Sequence, residues 1–316
     1  MKKIKNETHI EGYLYEHKLD LKTSGPASKN PGVEFINGTI GIATDEDMLN
    51  VVQVHFTYVT ETTAKGKQNA TFNVLKNIID GKTGTVVEHG KEAAGLLRID
   101  SAIGLNEWYD KDGNLISQKR NEGGFVHVAN LSEISDNEAQ RATFNTDMVI
   151  TGCTRQEANE ERNIPEKVIV RGAIFDFRGS LLPVEYSAVN EGAMNYFEGL
   201  EASNKNPVFT RVWGKQVSQT ITRTITEESA FGAPSVKTVK SSFKDFEITG
   251  AIPEPYAWDS EDTITAAEMK EAMANREVAL AEIKKRQDEY QESKKNAIKS
   301  TNSTSMPTPK ADDYNF

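Results

Sequence analysis

The chain of 316 residues has a single cysteine, Cys153. One thiol excludes an internal disulfide and any zinc site built from several cysteines. Its neighbours, Ile150-Thr151-Gly152-Cys153-Thr154, have the pattern of a strand end, where a structural thiol belongs. Histidine is scarce as well: five residues, all before position 130, with no His-Glu-any-any-His pair. No metal site and no cofactor are expected. Long hydrophobic runs are missing, since nowhere do about eighteen apolar residues follow one another, the length a membrane helix requires. The start, Met1-Lys2-Lys3-Ile4-Lys5-Asn6-Glu7, is basic without an apolar run behind it, so neither a signal peptide nor an anchor is expected, and the expected location is cytoplasmic. Also missing are a phosphate-cradling Walker loop and a Gly-any-Ser-any-Gly nucleophile elbow. Gly38-Thr39-Ile40-Gly41 and Glu122-Gly123-Gly124 are too short for dinucleotide binding and fit turns or bulges. No enzyme is expected.

What is present begins with a globular composition, 37% hydrophobic and 27% charged, with a formal net charge of −10. An acidic sum argues at first sight against a polyanionic partner, but a binding groove needs only a local basic stripe. Most of the chain alternates with a period of two. Ile10, Gly12 and Leu14 share one face of a first strand; residues 33–43 and 51–60 follow as a meander. Residues 70–81 place Phe72, Leu75, Ile78 and Ile79 at helical spacing before a terminating Gly81. Residues 96–109 and 115–128 then alternate around Asp110-Lys111-Asp112-Gly113-Asn114, whose Asp-Gly pair favours a tight hairpin. Residues 142–154 close this half.

From about 165 the pattern restarts. Val170-Arg171-Gly172-Ala173-Ile174-Phe175 echoes Ile10-Glu11-Gly12-Tyr13-Leu14-Tyr15, and Asp147-Met148-Val149-Ile150-Thr151-Gly152 echoes Asp245-Phe246-Glu247-Ile248-Thr249-Gly250. Matching first and last strands predict two copies of one β-domain, the first enlarged by a hairpin insertion. The expected class is mainly β: two tandem OB-like β-barrel domains, 1–160 and 161–252, then a linker and helix over 253–295 and a disordered tail over 296–316. Thr265-Ala266-Ala267-Glu268 has the form of a capping box. Behind it Met269, Met273, Leu280, Ile283 and Tyr290 form a thin apolar stripe, suited to weak docking or to self-association through helix 266–293.

Binding to single strands needs cations for phosphates and aromatic faces for bases. The strand over 208–217 supplies both, with Arg211, Trp213 and Lys215 on one face. Arg171, Phe175 and Arg178 form a second set; Tyr13, Tyr15, Tyr58, Trp108, Lys119 and Arg120 are the corresponding candidates in the first copy. The alternative for every one of these aromatics is burial in a core.

The chain ends Ala311-Asp312-Asp313-Tyr314-Asn315-Phe316 behind a Ser/Thr/Asn/Pro tether. This resembles the acidic tip of single-stranded DNA-binding proteins, in which Asp residues precede a final Phe; the order of parts is similar to that of the divergent members encoded by bacteriophages. The resemblance implies an OB-fold protein that coats single-stranded DNA in replication, recombination and repair. It also implies that Asp312, Asp313 and Phe316 recruit replication or recombination proteins. Two other functions fit the same pattern: a virion or assembly protein built of β-domains, and a strand-annealing recombination protein.

Overall fold

The computed structural model describes residues 4–26, 28–159, 164–227, 235–258 and 264–301, those at 220–227, 235–242 and 294–301 by their backbone alone. In chain order the main elements are β1 (Asn6–Thr23), β2 (Glu34–Ala43), β3 (Val51–Thr60), α1 (Ala70–Ile79), α2 (Val86–His89), β4 (Leu96–Tyr109), β5 (Leu115–Val128), β6 (Ala142–Gln156), β7 (Lys167–Phe175), β8 (Leu181–Ala188), α3 (Glu191–Gly199), β9 (Val208–Glu227), β10 (Ser235–Ala251) and α4 (Ala266–Thr301).

The ten strands lie in the order β2-β3-β5-β4-β1-β6-β7-β8-β10-β9, and two further pairings, β1 with β2 and β6 with β9, close this ribbon twice. Strands β1-β2-β3-β5-β4 form ring one; β6-β7-β8-β10-β9 form ring two. Each has a parallel contact between its third and fifth strands and a helix between its third and fourth. That is the OB-fold connection, a five-stranded Greek-key barrel. Closure follows from alternation: Val52, Val54 and Phe56 point into ring one while Val51, Gln53 and His55 stay outside. Each helix seals a barrel end. Asn69 caps α1 by accepting from the Thr71 amide, and Phe72, Leu75 and Ile78 enter the ring-one core. Asn190 caps α3 likewise from the Ala193 amide, and Met194 and Phe197 enter that of ring two.

The rings meet where β1 and β6 pair antiparallel, from Asn6↔Thr146 to Ile10↔Ala142. An approximate twofold runs through this junction. Glu11 faces Arg98 across β1–β4, and at the same place in ring two Asp147 faces Arg211 across β6–β9. Both carboxylates are buried and both pair with the opposing guanidinium, at 3.5 Å and 2.7 Å. The fourth–fifth hairpin of each ring reaches over the other. Lys119 of β5 donates to the Glu185 carbonyl of β8, while Asn50, at the start of β3, accepts from the Ser218 amide of β9 at 2.6 Å.

Two expectations are corrected by this topology. Strand β6, expected to close the first half, pairs with β7 and β9 and opens ring two. The hairpin expected as an insertion consists of ring one's own fourth and fifth strands. The repeated Ile-Thr-Gly does not mark equivalent strands, because both copies lie in ring two, on its first and last strands. What they share is a β-bulge, with register shifts at Ile150/Gly152 and Ile248/Gly250. An extra residue and a glycine recur wherever a barrel strand must bend.

Helix α4 is capped as expected: the Thr265 amide donates to the Glu268 carboxylate at 2.9 Å, and the Glu268 amide to the Thr265 hydroxyl at 3.2 Å. Its docked side keeps part of the predicted stripe, with Met269, Leu280 and Ile283 half-buried. Ile264 and Ala272 are buried against Val149, Phe175, Leu181 and Phe209 with Met269 beside them, whereas Met273 and Tyr290 are exposed. Polar bonds hold the next turns, Arg276 to Glu107 and Gln287 to the backbone of Tyr109. Periodicity alone cannot show that a guanidinium and an amide replace apolar contacts on a docked face.

Candidate nucleic-acid interface

The outer face of ring one's first three strands carries, among the described residues, both kinds of group that a single strand needs. Directly opposed residues point the same way, so the register puts Lys22, Phe35 and Thr60 in one row and, beyond the Asp20–Asn37 row, Lys18, Thr39 and His55 in another. Between Ile36 and Gly38 the β2–β3 register shifts. This bulge turns Tyr58 against Phe35, with ring centroids 4.6 Å apart and planes tilted by 35°. The Tyr58 hydroxyl lies 3.2 Å from that of Ser24, and the side chain keeps 45% of its surface in solvent. Lys18 is exposed; Lys22 makes an exposed pair with Asp20 at 3.4 Å, a contact worth little in water and easily exchanged for a phosphate. His55 is held below its ordinary pKa by burial, with the Arg120 charge adding to the effect, so it adds no positive charge at neutral pH. Of these residues only Tyr58 was legible as a candidate. Lys18 and Lys22 lie on β1 and Phe35 on β2, and only the register brings them together.

The corresponding face of ring two is covered. Arg171 and Glu185 stand opposite each other across β7–β8, as do Phe175 and Leu181 further along. Phe175 is 2% exposed, packed beneath α4. The prediction that it stacks on a base is therefore overturned: its outward position is occupied by Ile264 and Ala272. The β4–β5 arm and α4 roof the rest of the face and enclose a cleft of about 530 Å³.

The remaining candidates disperse. Arg211 is committed to Asp147 through two bonds of 2.7 and 3.0 Å, Lys215 to Glu247 at 2.9 Å and Arg120 to Glu122. Trp213 is 40% exposed. Its indole lies across Gly250, where any Cβ would collide with the ring. Tyr13 is half-buried with the Lys91 ammonium 5.2 Å above its ring. Tyr15 is half-buried at the β1 bulge, and Trp108 lies half-buried opposite Ile116. Arg178 rests 5.0 Å from the ring of Phe177, which is 92% exposed at the β7–β8 turn. Asp312, Asp313 and Phe316 lie outside the described residues.

A second concavity, about 820 Å³, crosses the β1–β6 junction and is lined by Phe125 and Phe177 with Glu7, Asp100 and Glu122. Three carboxylates around two exposed rings repel a polyanion, so this groove is the poorer surface for a phosphate chain. Among the described residues no cluster of metal-ligating side chains is found, and no helix is long and apolar enough to cross a membrane.

Comparison with solved structures finds similarity to a deletion mutant of the single-stranded DNA binding protein from Thermus aquaticus, at 12% identity and a TM-score of 0.45, covering 84% of this chain and 100% of that one. No curated protein matches the sequence. A family match spans residues 5–286, the whole of both rings and much of α4, and the chain belongs to the YorF family.

Proposed function

We propose that this protein binds single-stranded DNA, and that the first contact is the outer β1–β2–β3 face of ring one. The observation that carries the reading is the tilted Phe35–Tyr58 pair on an OB-like face beside Lys18 and Lys22. The second and third strands of such barrels are where oligonucleotides are taken up. A base slides onto the exposed ring of Tyr58, and the two ammonium groups follow the phosphates. Stacking of this kind is worth about 1–3 kcal/mol per base and tolerates any sequence. In this reading each ring is a domain, and the protein coats strands rather than cleaving them.

The test is a titration with oligothymidylate at several salt concentrations. Tyr58→Ala is expected to weaken binding by roughly 5- to 150-fold, the range of one lost stack. Replacing Lys18 and Lys22 together with Ala is expected to flatten the log–log salt slope by about 1.4, roughly 0.7 for each phosphate contact to a single strand. Absence of salt-dependent binding by the unaltered chain refutes the proposal and leaves the assembly-protein reading. The tip formed by Asp312, Asp313 and Phe316 is assigned to recruiting replication or recombination proteins. Its deletion should abolish partner capture while leaving DNA affinity equal or higher.

A further inference from the structure

Ring two's roofed face is not packed solid. The cleft beneath the roof has walls from three places: Leu115, Ser117 and Lys119 on the ring-one arm, Arg171, Pro183 and Glu185 on ring two, and Arg276 on α4. Three cations thus converge on a space shared with two carboxylates, Glu107, which holds Arg276, and Glu185, which meets Arg171 through Nε alone, so that Lys119 and the rest of the Arg171 guanidinium carry the free capacity. We propose that this cleft is a second subsite for the phosphodiester backbone of single-stranded DNA, built jointly by the arm of one ring, the face of the other and α4. The inference rests on the single-strand-binding reading of ring one.

Hydrogen-bonding capacity supports it. A guanidinium has five N–H donors. Arg171 directs Nε to the Glu185 carboxylate at 2.7 Å and Nη1 to the Thr154 hydroxyl at 3.2 Å, and its Nη2 group has no hydrogen bond among the described residues. Lys119 donates to the Glu185 carbonyl, with its ammonium 5.1 Å from the Tyr186 ring centroid and 4.8 Å from that of Phe246. The charges that face it are Glu185 on β8, Asp245 on β10 and Lys167 on β7. Burial outweighs the two carboxylates and brings its pKa down to about 8. An ammonium so short of solvation gains from a phosphate oxygen, and the apolar walls at Leu105, Leu115, Pro183 and Val184 suit a deoxyribose or base edge. Binding there would raise the Lys119 pKa, so affinity should fall as pH climbs through 8.

The experiment uses the full chain and oligothymidylate. Lys119→Gln combined with Arg171→Ala is expected to flatten the salt slope by about 1.4 beyond any ring-one effect and to remove the loss of affinity between pH 7 and pH 9. Arg171→Ala alone, at an exposed position, covers the case in which the double variant does not fold; its expected change in slope is about 0.7. If slope, affinity and pH dependence stay unchanged while Tyr58→Ala still weakens binding, the cleft is not a subsite, although ring one remains one. If the unaltered chain binds no oligothymidylate, both readings fall together.

Discussion

Among the described residues, ring one presents Phe35 and Tyr58, packed together and partly in solvent, on the outer face of its second and third strands; ring two has the matching face under α4 and the ring-one arm, and Phe175 is sealed at one end. The interiors differ too. Ring one is filled chiefly by Ile, Leu and Val around Phe56 and Phe72, whereas ring two stacks Phe144, Tyr186 and Phe246 with centroids 4.8 to 5.9 Å apart. Strand order, bulges and a sealing helix are common to both, so the barrel tolerates either filling. What becomes of an outer face depends on which later segment reaches it, and α4 reaches only one.

Ring two also carries a buried ionic cluster. Lys167 and the Ser187 hydroxyl both donate to Asp245 at 2.7 Å, within the barrel wall. Asp245→Ala leaves the Lys167 ammonium without its partner and should give the largest loss in the molecule, about 3–5 kcal/mol in chemical denaturation. Should ring one hold its structure while ring two melts, two separate transitions will show that the rings are independent folding units.

The sealing helices offer a more even contrast. Leu75→Ala on α1 and Phe197→Ala on α3 each empty a fully buried site and are expected to cost about 2–5 kcal/mol. Equal losses would mean that the two barrels depend alike on their plugs; a much smaller loss for Phe197→Ala would show that the aromatic stack holds ring two without it.

The paired guanidiniums should separate more clearly. Arg211 grips Asp147 at two points, while Arg98 meets Glu11 at 3.5 Å and is more exposed. Arg211→Met is therefore expected to cost about 2–3 kcal/mol, since it strands a buried carboxylate, and Arg98→Met about 1 kcal/mol or less. Parallel denaturant titrations decide it, and equal values would remove the asymmetry.

The smallest effect has the opposite sign. Because the folded state lowers the Lys119 pKa from 10.5 to about 8, the unfolded chain binds the extra proton between those values. Stability attributable to Lys119 therefore rises with pH across that window and is lowest below 8. Lys119→Met should raise stability at pH 7 by about 1 kcal/mol, as replacing a desolvated charge with an apolar side chain commonly does. The difference between variant and parent should shrink toward pH 10.5. A variant less stable than the parent at pH 7 would mean that the ammonium's contacts with Glu185 and the two rings outweigh its desolvation.

Much of the secondary structure could be read in advance because its signals are local. The alternation in residues 51–60, the spacing of Phe72, Leu75 and Ile78, the Asp-Gly turn between β4 and β5 and the Thr265–Glu268 cap each act within a few residues. The same locality misled the repeat. Ile-Thr-Gly is what a bent strand needs, and β6 and β10 both bend, so identical letters marked two strands of one barrel. Candidate cations are claimed for a related reason: Arg211, Lys215 and Arg120 alternate as ligands would, but Arg211 and Lys215 meet carboxylates on neighbouring strands, and Arg120 meets Glu122 two positions along β5.

From its amino acids alone this protein was bound to be mainly β, free of internal disulfides, with helices between particular strands and one long polar helix behind them. Alternation, caps and turn residues act over one to four positions and need no partner. Only the tertiary structure decided that β6 opens ring two, that Phe35 meets Tyr58 through a shifted register, and that Phe175 lies beneath α4. Those outcomes depend on pairings between segments up to about a hundred residues apart, and a slip of one position in any of them would turn each side chain to the opposite face.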